Sequence, residues 1–203
     1  MSGIIGMLLG SFPTAYLVLR WFRGIDIRAA GSGNVGALNS YEVSNNPWFG
    51  VTVLVIDFMK GVLAVFVPRF FWPESFAIQF AGGFGAVASH IFNPWLGFRG
   101  GKGLATAAGM VVCVAPVLLP AWGLIWISAF AWSREVNVGN GFACAGLLAG
   151  TVLVPHDIVV RIVRLGPIDV DPCLAFAGLM VLLMFKVTIS AWRFLIRGNI
   201  SNQ

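Results

Sequence analysis

The sequence predicts an all-α integral membrane protein of about seven transmembrane helices, with its N-terminus outside and its C-terminus in the cytoplasm. Three observations carry this. Of the 203 residues, 58% are hydrophobic and only 10% are charged, whereas soluble domains run near ~45–50% apolar and ~25% charged. The mean hydropathy is +0.87, and the apolar residues gather into runs long enough for helices that cross a bilayer. Apart from Lys60 and Lys186, the basic residues fall in the gaps between runs, mostly on one side of the alternating chain. A soluble enzyme, a disordered tail and a nucleic-acid-binding domain are excluded by the charge deficit. The net charge of +5 is therefore read as loop anchoring and attraction to anionic lipid or to a phosphate-bearing substrate.

Gly3–Leu19 is the first span. Met1–Ile5 has no positive stretch and Arg20 and Arg23 follow the apolar run, which fits a retained helix rather than a cleaved signal. Arg20, Arg23, Asp26 and Arg28 mark a polar loop. Trp48–Phe66 is the second span. It carries Asp57 and Lys60, three apart on one helix face, where the expected role is mutual neutralisation and tethering of neighbouring helices. Ser75–Phe92 is the third span, with His90 near its end, and the glycine-rich stretch Asn93–Gly103 follows. Leu104–Trp132 is apolar over 29 residues. That is long for one crossing, so the prolines Pro116 and Pro120 divide it into two shorter helices that turn near Pro116. Ser133–Asn140 is a polar loop, Gly141–Val154 the next span, Pro155–Pro172 a polar connection and Leu174–Trp192 the last span.

With that break, Arg20, Arg23, Arg28, Arg99, Lys102, Arg134, Arg193 and Arg197 share one side. Arg69, Arg161 and Arg164 share the other. The richer side is cytoplasmic, and both glycine-rich loops lie on it. Residues 1–203 read as one polytopic membrane domain without internal repeats. Trp21, Trp48, Trp72, Trp95, Trp132 and Trp192 fall near span ends, as an interfacial belt would. Cys113, Cys144 and Cys173 lie in or beside apolar runs, with no paired spacing, and suggest neither a disulfide framework nor a metal site.

The chemistry gathers in two loops. The first is Gly31-Ser32-Gly33-Asn34-Val35-Gly36-Ala37-Leu38-Asn39. Its glycines Gly31, Gly33 and Gly36 allow backbone N–H groups to converge on an anion, and Ser32, Asn34 and Asn39 add neutral hydrogen-bonding groups. A flexible turn would use the same glycines. The second is Gly97-Phe98-Arg99-Gly100-Gly101-Lys102-Gly103-Leu104-Ala105-Thr106. Gly100, Gly101 and Gly103 flank a lysine just before a helix, which suits a phosphate. Lys102 supplies a full charge and Thr106 a hydroxyl. The four-residue spacer of a nucleotide-binding P-loop is missing, and no strand precedes it. His90 lies just ahead, as a base, a phosphate ligand or a packing residue. His156 falls on the opposite side, so no histidine cluster for metal catalysis forms. No nucleophile–base–acid triad can be placed on one side.

Taken together, Leu9-Gly10-Ser11, Gly31–Asn39, Asp57-Phe58-Met59-Lys60-Gly61, His90 and Gly97–Thr106 resemble the acylphosphate-dependent glycerol-3-phosphate acyltransferase family, over about Leu8–Arg134. The resemblance implies a seven-helix bundle in the bacterial inner membrane with a cytoplasm-facing site. It implies a fatty acyl phosphate donor and glycerol 3-phosphate as acceptor, giving lysophosphatidic acid, without metal or other cofactor. Ser32, Asn39 and Lys102 then become the catalytic candidates. Lys102 and Ser32 would contact phosphate, and Asn39 would order the acceptor. Gly31, Gly33, Asn34, Gly36, His90, Gly100, Gly101, Gly103 and Thr106 would line the substrates. Two features depart from the family. Glu42 stands where the family has an arginine that contacts the acceptor phosphate, and the C-terminal stretch Lys186–Gly198 lacks the family's histidine and asparagine. They leave open another hydroxyl or amine acceptor, or a non-catalytic subunit that binds acyl phosphate or lipid. On the glycine loops alone, an anion transporter is also open.

Overall fold

The computed structural model describes residues 1–73, 75–163 and 169–200, with side chains through Ser190. Arg164 and the side chains of Trp192, Arg193 and Arg197 therefore lie outside the described set. The described residues form helices and connecting loops, with no strand among them. The chain divides into two compact units at Val114–Ala115.

The first unit holds α1 (Ser2–Gly10), α2 (Thr14–Arg23), α3 (Ala37–Ser44), α4 (Pro47–Phe71), α5 (Phe76–Ile91) and α6 (Leu104–Val114). The first apolar run is not one straight helix. Pro13 lacks an amide hydrogen and its ring crowds the preceding turn, so the chain breaks between α1 and α2. In an apolar environment such a break leaves backbone carbonyls that need donors. Asn93 Nδ2 donates to the Ser11 carbonyl at 2.7 Å. Lys60 Nζ donates to the Phe12 carbonyl at 2.5 Å. α4 starts cleanly because the Asn46 side chain accepts from the Trp48 amide. In α5, Ser75 does the same for the Ile78 amide.

α1 packs on α5, and α4 packs on both α5 and α6. The packing is set by residues without side chains. A Cβ on Gly6 would collide with the Gly82 carbonyl of α5, and one on Gly109 with the Phe58 carbonyl of α4. Small residues at such crossings let backbones approach where lipid offers no hydrophobic drive for association.

The second unit holds α7 (Leu118–Ser133), α8 (Val136–Leu153), α9 (His156–Ile162) and α10 (Pro172–Ile200). The break expected near Pro116 separates α6 from α7. α8 begins at Val136, inside the stretch read as a polar loop, because only Arg134, with its left-handed φ of 59°, and Glu135 are needed for the turn. α7 buries none of its residues, and Leu124, Ile127 and Trp132 are exposed. Water would not tolerate that surface, but lipid does.

Among the described residues, four segments are long and apolar enough to cross a membrane: Ser2–Arg23, Pro47–Phe71, Val136–Leu153 and Pro172–Ser190. α6 and α7 are shorter and also apolar.

Candidate active site

The site belongs to the first unit and is built from two loops and the polar cluster beneath them. Loop one enters through Asp26 and Arg28. The guanidinium donates from Nε and Nη2 to the two carboxylate oxygens, at 2.9 and 2.7 Å. These hydrogen bonds hold the Asp26 carboxyl down to about 2. The chain then turns through Gly31 and Gly33, with φ of 56° and 70°, a region that side chains disfavour.

Asn39, on α3, is buried and fastens this loop. Its Oδ1 accepts from the Ser32 amide at 3.0 Å, and its Nδ2 donates to the carbonyls of Ala30 and Asn34 at 3.1 and 3.0 Å. The Gly33 amide donates to the Ala30 carbonyl and the Gly36 amide to the Asn34 carbonyl. The amides of Ser32, Gly33 and Gly36 are thus engaged within the loop and do not form an open nest. What the loop presents outward is the exposed Ser32 and the half-buried Asn34.

Loop two follows α5. Asn93 caps a single turn at Pro94–Leu96, and the chain reverses through Gly97 and Phe98, both at φ 61°. Gly100 lies against the His90 carbonyl and donates its amide to Ile91 at 3.0 Å. Gly101 is the meeting point of the two loops. A Cβ there would collide with His90 Nε2 on one side and press on the Val35 carbonyl of loop one on the other. Gly103, at φ 81°, delivers the chain into α6.

Lys102 is half-buried at this junction. Burial holds its pKa below the ordinary lysine range, and the Glu42 carboxylate of α3 pulls it back up. Gly101→Ala is expected to force the loops apart, since neither a backbone carbonyl nor a buried imidazole yields easily. Misplacement by ~1 Å costs about 10²-fold in turnover. A steady-state assay with an unchanged melting temperature would read this, and wild-type kcat/KM would refute it.

Beneath the junction, Asp57 Oδ1 accepts from Lys60 Nζ at 2.7 Å and from Thr14 Oγ1 at 2.9 Å. His90 Nδ1 stands 3.8 Å from the same oxygen. His90 therefore has one ring nitrogen toward Asp57 and the other against Gly101. Thr14, Asp57, His90, Asn93, Gly100 and Gly101 border a cavity of about 10 Å³, room for about one water. The Asp57–Lys60 tether expected from spacing is present, and it also reaches the α1–α2 break.

Thr106 stands apart from this arrangement. It is fully buried on α6, its carbonyl faces Gly61, and its hydroxyl has no hydrogen-bond partner. Thr14, Asn93 and the Val35 carbonyl were not singled out from sequence. Pro13 was the available signal for Asn93, since a proline inside an apolar run announces carbonyls in need of donors.

A family model described as glycerol-3-phosphate acyltransferase matches residues 1–200 of the chain. A Myxococcus xanthus protein named glycerol-3-phosphate acyltransferase is 38% identical over 155 residues, covering 76% of this chain and 80% of the relative. A Synechococcus protein of the same name is 40% identical over 145 residues, 70% of each chain. Among solved structures, an integral membrane glycerol 3-phosphate acyltransferase in its glycerol 3-phosphate form aligns with a TM-score of 0.77 and 26% identity. That alignment covers 96% of this chain and 90% of the other. The lysophosphatidic acid form of that enzyme aligns with a TM-score of 0.75.

Proposed function

The chain belongs to the glycerol-3-phosphate acyltransferase family, and from that premise we propose that it takes its acyl group from an acyl phosphate and works where its two glycine loops meet. Glycerol 3-phosphate is the acceptor and lysophosphatidic acid the product. The observation that carries the site is Gly101, wedged between His90 and Val35 with the half-buried Lys102 next in the chain. A phosphate placed there meets a cation whose charge is only partly solvated, and such contacts are strong.

The reaction asks little of the protein. The acceptor's 1-hydroxyl oxygen attacks the acyl carbonyl carbon and forms the ester bond. The bond from that carbon to the phosphate oxygen breaks, and phosphate leaves with the electron pair and takes up the hydroxyl proton. The donor is a mixed anhydride, so position and electrostatic stabilisation supply most of the rate. Lys102 and Ser32 hold phosphate oxygens. Asn39 keeps loop one in shape behind them, through the backbone groups it binds. The Asp57–Lys60–Thr14 cluster holds His90 and, through it, the Gly100–Gly101 turn.

The reading places the whole chain in the bacterial inner membrane as one polytopic domain. α5, α6 and α7 complete about seven crossings, the N-terminus is outside, and the loops face the cytoplasm. The charge bias of the connecting loops supports that orientation. Purified protein given palmitoyl phosphate and glycerol 3-phosphate should release phosphate and lysophosphatidic acid in equal amounts. Absence of both with this donor, while an acyl thioester works, would overturn the donor assignment.

Glu42 presents a negative charge beside Lys102, where the acceptor's phosphate must come close. Glu42→Gln and Glu42→Arg should lower KM for glycerol 3-phosphate several-fold, at little change in kcat. A close like-charge pair near a protein surface costs a few kcal/mol before screening. A raised KM in both variants would mean that Glu42 instead binds the acceptor's hydroxyls.

A further inference from the structure

In the second unit, the fold brings His156 to two side chains, Asp171 and Cys173, that lie fifteen or more residues further along the chain. His156 is the first residue of α9, Asp171 immediately precedes α10, and Cys173 lies in its first turn. A nitrogen of His156, a carboxylate oxygen of Asp171 and the sulfur of Cys173 all lie within 4.8 Å of one another. We propose that these three residues form a binding site for a divalent transition-metal ion of the zinc type.

The donor set decides the class. One imidazole, one thiolate and one carboxylate suit zinc or cobalt, whereas calcium and magnesium require oxygen ligands alone. Three protein ligands leave a fourth position for water. Metal–ligand bonds of ~2.0–2.3 Å in a tetrahedron put ligand atoms roughly 3.5 Å apart. The His156 Nε2–Asp171 Oδ1 separation is already 3.4 Å. The side chain of His156 is 61% exposed, so it can turn to complete the set.

Asp171 is oriented by the backbone, because the same Oδ1 accepts the Cys173 amide at 2.8 Å. Outer bonds of this kind fix a ligand in place. An N-cap accounts for Asp171 alone, and an ion pair accounts for His156 and Asp171. A hydrogen bond to the Asp171 carboxylate accounts for the Cys173 thiol, and a shared cation joins all three donor atoms in one site.

The site also has a structural consequence. α9 packs on α10, and Val159 and Ile162 of α9 join Phe176 and Met180 of α10 around an apolar cavity of about 240 Å³. A cation held by His156 and Cys173 would fasten the start of α9 to the start of α10 and so fix this side of the cavity wall.

The test uses full-length protein without a histidine tag, reduced with a phosphine, in detergent. Co²⁺ titration should give a sulfur-to-cobalt charge-transfer band in the near ultraviolet and strong visible bands of four-coordinate cobalt. Both should saturate at one equivalent and be displaced by Zn²⁺. Cys173→Ser should abolish the charge-transfer band, whereas Cys113→Ser and Cys144→Ala should keep it. His156→Gln should weaken Zn²⁺ binding by more than the ~10–100-fold that loss of an outer-shell partner costs. A wild-type protein without the band, or a band that survives Cys173→Ser, overturns the proposal. The readout does not depend on acyl transfer, so it stands or falls separately from the reading of the first unit.

Discussion

Lys102→Ala is expected to lower kcat/KM for acyl phosphate by about 10²–10³-fold, the usual cost of removing one group aimed at developing charge. The effect should fall on turnover more than on folding. Lys102 is half-buried at a loop junction, and burial already disfavours its charge there. Taking the ammonium away relieves a desolvation cost, so the melting temperature should stay within a few degrees of wild type. Lys102→Arg separates charge from geometry. A guanidinium keeps the charge but spreads it over a wide planar fork, and the closed space beside Gly101 should leave this variant well below wild type. Full activity of Lys102→Ala in correctly inserted protein would remove the phosphate-cradle reading.

The second large effect is on stability. Asp57→Ala should destabilise the first unit by about 3–5 kcal/mol, because it leaves a buried lysine without its counter-charge. Lys60 is 7% exposed at its side chain and Asp57 is 3% exposed. Lys60 would keep only the Phe12 carbonyl among the hydrogen bonds given above. Replacing both, as Asp57→Leu with Lys60→Met, should recover much of the loss, since apolar pairs of similar volume often do as well as buried ion pairs. Thermal unfolding in a fixed detergent reads all three proteins. If the single and double variants melt together with wild type, the cluster is not what holds α4 to the α1–α2 break.

The apolar runs gave the long helices, because bilayer thickness imposes a length that composition can report. Pro116 gave the break before α7 for the same reason that Pro13 gives the break before α2. The break at Pro13 is hidden because the seventeen-residue, mostly apolar run Gly3–Leu19 already makes an acceptable span. α3 was not legible. Its sequence, ALNSYEVS, has neither an apolar face nor the length to declare a helix. Residue types named Asn39 as a hydrogen-bonding group but could not say that its amide closes loop one upon itself. The same holds for Gly101. Glycine signals freedom or closeness, and only coordinates distinguish the two. The contact between His90 and Gly101 joins two neighbouring chain segments. By contrast, the one between Gly101 and Val35 crosses more than sixty residues, which no local pattern encodes.

The interrupted first helix also bears on how the chain is put into the membrane. The Ser11 carbonyl receives its donor from Asn93, 82 residues later, and the Phe12 carbonyl from Lys60, 48 residues later. When the N-terminal segment first emerges from the ribosome, neither partner is yet beside it. The segment then carries the open Ser11 carbonyl, costly in hydrocarbon, while the Phe12 carbonyl has only the Thr14 amide at 2.9 Å. It must wait beside water, a lipid headgroup or the insertion machinery until α4 and then α5 arrive. The expected order of assembly is that this segment, made before α4 and α5, settles after them. A ribosome-bound chain truncated after α4 should leave this segment accessible to aqueous reagents, and one extended past Asn93 should close it.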